Sequence, residues 1–360
     1  MDLIPILKTL TQVTGVSGFE HTVREEIRAI WSPLADECWT DTLGNLIAVK
    51  RGNGTEPRRK LMLASHMDEI GLMVTQVRQG FLTVTAVGGT DLRLLLGQQV
   101  LVHGRRDLPG IIGSRPPHLL KPGENEELVP WDKLVVDVGL PAKEVADLVR
   151  VGDHVSFRQE LRELLGGRVA GKALDNRAAV ACLAFCLQAL QSRAHCWDVV
   201  AVATVQEEET MGGARTGAFR LQPDVSIAVD VTQAEGPGVS REEAMALDKG
   251  PAIGYGPNNH PGLHRALVES AKAIELRYQV EPMPRGGGTD AWAMEVVRAG
   301  VPTAVVCIPL RNMHMPVELV AVSDVERTGR LLAEFAGRLD DKFIEKYLAW
   351  DRDTEEECRE

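Results

Sequence analysis

Aromatic side chains are scarce in this chain. Seven Phe, six Trp and three Tyr among 360 residues leave little for an aromatic sugar platform. Basic charge is not in excess either. Against 40 Lys and Arg stand 51 Asp and Glu, a net charge of −11, which argues against nucleic acid as a partner. Long apolar runs are missing. The longest, residues 178–187, is far too short to span a bilayer, so no membrane role is expected. The start, Met1-Asp-Leu-Ile-Pro, has no basic segment and no small-residue cleavage site, so it does not read as a signal peptide. Six cysteines form no disulfide framework. Cys182 and Cys186 stand four apart on one expected helix and read as small core residues. A zinc site from those two with His195 and Cys196 is the alternative, but its spacing matches no standard pattern. The expectation is a cytoplasmic, reduced protein.

A chain of 360 residues exceeds what one hydrophobic core usually holds, so two domains are expected. Residues 1–35 read as helix broken at Val16-Ser-Gly-Phe-Glu20, followed by a hairpin and a buried strand over 60–65. From 71 to 157 short strands alternate with Gly and Pro, the pattern of a small barrel or sandwich. After Gly171 strand and helix alternate again, with a helix over 290–299 and at the end one long helix over 323–350. The spacing therefore predicts an α/β fold: a mostly parallel-containing sheet flanked by helices, with an inserted small all-β barrel. The α/β part would comprise residues 1–70 and 165–350 and the barrel 71–164, with 351–360 an acidic tail.

The chemistry gathers at strand ends. Residues 199–205 read as a buried parallel strand, because both faces are apolar. It runs into Glu207, Glu208 and Glu209, then a glycine pair and a helix. In open α/β sheets ligands bind beyond the carboxyl ends of strands. Adjacent acids repel there, and a cation relieves the repulsion. One Glu could then bind metal while its neighbour acts as general base; a solvated acidic loop is the competing reading.

Other strand ends repeat the theme. His66 and Asp68 share one face of their strand by its period of two, so the carboxylate can fix the imidazole's orientation. Asp175 opens a helix, which an ordinary N-cap would also explain. Asp230 ends an apolar strand, and His314 follows the strand over 303–308, where a hydrogen-bonded loop histidine is the commoner case. Together these segments supply enough donors for two metal ions bridged by one carboxylate. Imidazole with carboxylate suits zinc, cobalt or manganese, and the lack of Cys excludes a structural thiolate site. Two such ions form a clamp for hydrolysis.

Eight motifs stand in order along the chain: Gly15-Val-Ser-Gly-Phe, Asp41-Thr-Leu-Gly-Asn-Leu, Ser65-His-Met-Asp-Glu-Ile-Gly71, Gly171-Lys-Ala-Leu-Asp-Asn-Arg177, Val205-Gln-Glu-Glu208, Val229-Asp-Val-Thr232, Gly286-Gly-Gly-Thr-Asp-Ala291 and His314-Met-Pro-Val-Glu318. In these the chain resembles the glutamyl and deblocking aminopeptidases, a family of dinuclear-metal peptidases. Some members form tetrahedral dodecamers and some are labelled endoglucanases. The resemblance implies that His66 and Asp230 hold one metal, Glu208 and His314 the other, and Asp175 bridges them. It implies Glu207 as general base for a metal-activated water, Asp68 as the residue orienting His66, and peptides as substrates. Two divalent ions per subunit are implied, zinc first and cobalt or manganese otherwise, with the barrel as dimerisation domain of a larger homo-oligomer.

Two departures stand out. Where the family commonly has x-Gly-x-Arg-Gly after the Glu pair, this chain has Glu209-Thr-Met-Gly-Gly213, and His-Ser-Pro is here His314-Met-Pro. Competing readings are a related dinuclear deacylase or carboxypeptidase, a glycosidase using paired carboxylates, and a non-catalytic assembly protein. Arg215, Arg285 and Arg311 lie near the motifs in sequence and read as structural ion-pair partners.

Overall fold

The computed structural model describes residues 1–120, 128–240, 244–286 and 288–349. The tail at 351–360 lies outside them, as does Gly287 of the triple-glycine motif. In chain order the elements begin α1 (Leu3–Gln12), α2 (His21–Trp31), β1 (Glu37–Thr40), β2 (Leu46–Lys50) and β3 (Lys60–His66). The next strands are β4 (Gly71–Arg78), β5 (Phe81–Val87), β6 (Gln99–His103), β7 (Asp107–Gly113) and β8 (Val135–Asp137), then α3 (Ala142–Leu148) and β9 (His154–Phe157). The chain continues through β10 (Arg162–Leu164), β11 (Arg168–Gly171), α4 (Leu174–Leu190), β12 (Asp198–Thr204), α5 (Glu207–Thr210), α6 (Gly212–Leu221) and β13 (Val225–Gln233). It closes with β14 (Ala252–Tyr255), α7 (Pro261–Ala273), β15 (Gln279–Pro282), α8 (Asp290–Glu295), β16 (Thr303–Arg311), β17 (Glu318–Ala321) and α9 (Val322–Gly337).

The α/β expectation holds. The main sheet runs β1-β2-β12-β3-β13-β16-β17-β11-β10, with β14 and β15 branching from β16. Its centre, β12-β3-β13-β16, is parallel, and antiparallel strands complete both sides. Burial on both faces explains the unbroken apolar runs. Leu61, Leu63, Val199, Ala201, Ile227 and Val306 pack on one face with Trp31, Leu183 and Phe335 of α2, α4 and α9. Met62, Ala64, Val200, Val202, Ala228 and Cys307 pack on the other with Ala214, Ala218 and Met294 of α6 and α8. The strands β4-β5-β8-β7-β6-β9 close into a separate antiparallel barrel, filled by alternate residues such as Leu72, Val74, Val100, Val102 and Val155.

Two expectations are corrected. The last helix does not run over 323–350: α9 stops at Gly337, and the chain returns as a short π-helical turn over Ile344–Leu348. Phe343 there packs edge-on against both Trp197 and Phe335, so core contacts replace helix continuation. The helix starting at Asp290 ends at Glu295 rather than reaching residue 299. The four Cys and His of the alternative zinc reading form no ligand group among the described residues; Cys182 and Cys186 are core side chains of α4. No helix among the described residues is long and apolar enough to cross a membrane.

Candidate metal centre and active site

The parallel strands bring their carboxyl ends together, and the register aligns the donors. Thr204 of β12 stands opposite His66 of β3, and Asp230 of β13 opposite Cys307 of β16. His66 and Asp230 are both more than nine-tenths buried. The His66 Nδ1 atom lies 3.3 Å from the Asp68 carbonyl oxygen, which turns Nε2 toward Asp175 Oδ1 at 3.1 Å. Glu207 Oε2 and Asp230 Oδ1 stand 3.7 and 3.8 Å from the same nitrogen.

Asp175 reaches in both directions. Its other oxygen, Oδ2, lies 3.5 Å from Nε2 of His314, which is 3.7 Å from Glu208 Oε2. Two groups of potential metal donors result, His66–Asp175–Asp230 and Asp175–Glu208–His314, each with its donor atoms within 4.8 Å of one another. The seven residues singled out in the sequence, Asp68 and Glu207 included, thus stand in one place. Glu207 and Glu208, neighbours in sequence, face different histidines, an arrangement that does not flank a glycosidic bond.

Buried acids without counter-charge hold their protons. Burial first, then the charges of Asp230, Asp290 and Asp68, push Glu207 up to about 10, although His66 works against this. Burial and Asp175 push Glu208 to about 9, and burial with Asp175 pushes Asp230 to about 8. For His66 burial works downward, but Glu207, Asp175 and Asp68 outweigh it, so its pKa is raised well above the ordinary value. Asp68 moves the other way. Burial opposes its ionisation, but the adjacent His66 ring and the hydrogen bond from the Glu207 backbone lower its pKa.

The loop that presents the two glutamates is fixed from outside. Asp68 Oδ1 and Oδ2 accept the backbone N–H groups of Glu207 and Glu208, each at 3.1 Å. Glu20 Oε1 accepts the N–H of Gln206 at 3.0 Å. Asn45 accepts the N–H of Val205 at 3.1 Å and donates to the Gly213 carbonyl at 2.9 Å. Gly213 must be glycine: a Cβ would come 2.4 Å from Asn45 Oδ1 and 2.5 Å from the Val205 backbone. Ala173, Gln206, Met211 and His314 all adopt left-handed backbone, so strained residues gather at the site.

Three contributors went unassigned in the sequence. Glu318, 2% exposed, accepts the backbone N–H of Asp175 at 2.9 Å and of His314 at 3.2 Å. The barrel touches the site through Gly88, which donates to Glu209 Oε1 at 2.6 Å, and through Gly89, where a Cβ would come 2.4 Å from His314 Nδ1. Asp290, beside Glu207 electrostatically, hydrogen-bonds Thr204. The presence of Glu318 and Asp290 within quoted motifs was the available signal. Of the three motif-flanking arginines, Arg215 and Arg285 are exposed and Arg311 donates to the Glu235 carbonyl.

Comparison with known proteins gives this arrangement a family. The model of the M42 glutamyl aminopeptidase family matches residues 44–331. A lysyl aminopeptidase of Pyrococcus furiosus is 38% identical over 333 residues, covering 91% of this chain and 94% of that protein. The structure superimposes on a TET aminopeptidase from Thaumarchaeota archaeon SCGC AB-539-E09 with a TM-score of 0.90 at 33% identity, covering 96% of this chain and 98% of the other. A Pyrococcus horikoshii TET1 peptidase that can assemble into a tetrahedron or a large octahedral shell matches with a TM-score of 0.82 at 30% identity, covering 94% and 100%. Strand ends that converge two histidines with a set of buried carboxylates, on a fold held in common over nearly the whole length, belong to an aminopeptidase, and the chain is a member of the M42 glutamyl aminopeptidase family.

Proposed function

We propose that the enzyme removes single residues from the free amino ends of peptides with two divalent cations bound in each subunit. The observation that carries this is Asp175, whose two carboxylate oxygens face separate His-containing donor groups. The donors fit such ions, because Asp175, Glu208 and Asp230 converge as buried carboxylates, and the raised pKa values of Glu208 and Asp230 register the cost of leaving them bare. The set is nitrogen and oxygen only, which favours zinc, with cobalt or manganese as alternatives. His66 and Asp230 would hold one ion, Glu208 and His314 the other, and Asp175 both.

Bound there, the ions would supply Lewis acidity toward the scissile carbonyl and lower the pKa of water. The chain's own groups do the rest. Glu207 Oε2 is the proton carrier: it takes a proton from the attacking water and passes it to the leaving amine, a role worth about 10²–10⁴-fold in rate. To act as a base it must first lose the proton that burial and its acidic neighbours favour. Asp68 holds the Glu207 and Glu208 backbones in place and, through its own carbonyl, the His66 ring. Burial of His66, Asp175 and Asp230 keeps bulk water from competing.

Residues 1–70 and 165–350 would form the catalytic domain and 71–164 a barrel through which subunits pair. Phe81, Ile111 and Val151 are exposed apolar residues of that barrel, and a relative that assembles into shells supports the pairing. A dodecamer in the cytoplasm is the corresponding assembly. Glu207→Gln is the test of mechanism. It should keep the cation stoichiometry and lose 10²-fold or more in kcat; a variant of wild-type activity would remove Glu207 from the role.

A further inference from the structure

One further acidic side chain, on a strand that branches from the main sheet, takes no part in the donor groups. Glu281 projects from β15, and its Oε1 accepts a hydrogen bond from Thr232 Oγ1 at 2.5 Å. Thr232 follows Asp230 by two residues on β13, so both side chains share a face, about 6.6 Å apart along the strand. The Cys307 thiol, in register with Asp230 on the neighbouring strand, is the other group beside the Glu281 carboxylate. A thiol is a weak donor. The remaining oxygen, Oε2, is buried and makes no hydrogen bond among the described residues.

This carboxylate is short of positive charge. The groups that act on Glu281 are burial, which raises its pKa, and the Thr232 and Cys307 side chains; among the described residues no lysine or arginine joins them. A half-buried acid with one orphan oxygen is costly unless a cation meets it. Through Thr232, two residues beyond Asp230 on β13, it is placed on the same face as the proposed reaction centre. A lysine carries its charge on a flexible four-carbon stem, and arginine on a comparable one. A substrate whose scissile carbonyl lies at Asp230 could therefore set its first side chain along β13 with its charge against Glu281. The three arginines near the motifs, whose charge would favour an acidic residue, are exposed or engaged elsewhere.

We propose that Glu281 determines specificity in this site, and that the enzyme takes peptides whose first side chain is cationic, lysine or arginine. The inference rests on the aminopeptidase reading above. Charge-assisted pairing in a desolvated setting gives the selection its strength, and an unpaired Glu281 disfavours neutral side chains.

The test compares kcat/KM for lysyl, arginyl, norleucyl and glutamyl amides of one chromogenic amine, using the cation-loaded enzyme. Norleucine keeps the lysine stem and omits its charge. The wild type should favour lysyl over norleucyl by about 100-fold and cleave glutamyl least. In Glu281→Gln the lysyl-to-norleucyl ratio should fall toward unity, while Glu281→Asp should retain a part of it. Because the wild-type ratio is itself a readout, the test stands even if a variant folds poorly. A wild type that cleaves norleucyl or glutamyl amides as well as lysyl would overturn the assignment and leave the aminopeptidase reading intact. An equal loss on all substrates in Glu281→Gln, with the ratio unchanged, would make Glu281 structural and overturn it too. No cleavage of any amide would overturn both readings.

Discussion

Loading the site with divalent cations should release protons, and the number follows from the geometry. In the cation-free chain Glu208 and Asp230 sit at about 9 and about 8, so at pH 7 both are mostly protonated. Together they hold about 1.9 protons at that pH. The pKa of His66 is raised as well, by Glu207 and Asp175. Ligands bind cations as carboxylate and neutral imidazole, so occupation should expel about two protons from these two acids, and more as His66 and Glu207 give up theirs. Calorimetric titration at pH 7 in buffers of different ionisation enthalpy reads this number as a slope. Asp230→Asn should reduce it by about one.

The same shifts fix a stability trend. Carboxyls whose folded pKa is raised contribute stability below their unfolded values, and it is lost as pH rises through the folded ones. The chelated protein should therefore lose stability between about pH 5 and 10, more than the loaded protein does. At a free cation level 1,000 times Kd, one bound ion should add about 4.1 kcal/mol. With about 0.76 kcal/mol/K of unfolding entropy for 360 residues, that is about 5 °C in Tm. A proton slope near zero, with cations bound, would refute the assignment of these acids as ligands.

Other perturbations reach different parts of the structure. Glu69 is buried between Lys172 Nζ at 2.6 Å and Arg177 at 3.1 Å, so Glu69→Gln should cost about 3–5 kcal/mol in urea unfolding, because it leaves two buried cations underpaired. Gly213→Ala should shift the glutamate loop and cost about 1–3 kcal/mol, with lower cation affinity by calorimetry; an unchanged affinity would mean that the loop accommodates the methyl group. Ile111→Asp, at an exposed apolar position of the barrel, should lower the particle mass measured by light scattering if the barrel pairs subunits.

The sequence made the donor positions legible because an acid or a histidine stands at or near the carboxyl end of each apolar run, although β13 continues past Asp230 to Gln233 and β16 to Arg311. Both-faced burial makes β3, β12, β13 and β16 read as uniform apolar runs, so their ends are sharp. Alternation and glycine spacing likewise revealed the barrel strands. The supports of the site were hidden because their partners are far away in the chain. Asn45 grips Val205 160 residues on, and Glu318 grips Asp175 143 residues back. Short strands such as β14 and β17 carry too few residues for a period to emerge. The amphipathic rhythm after Gly337 misled for a related reason: it marks residues that pack on Trp197 and Phe335, which a turn achieves as well as a helix. Glu281 gave no signal, since its neighbours Thr232 and Cys307 belong to other strands.

The most direct test of the central claim is hydrolysis of matched aminoacyl amides, free and N-acetylated, after chelation and after re-addition of zinc, cobalt or manganese. Activity that vanishes on chelation, returns with the cation and spares the acetylated substrates is the expected result. Equal cleavage of free and acetylated substrates, or full activity in the chelated protein, would contradict it.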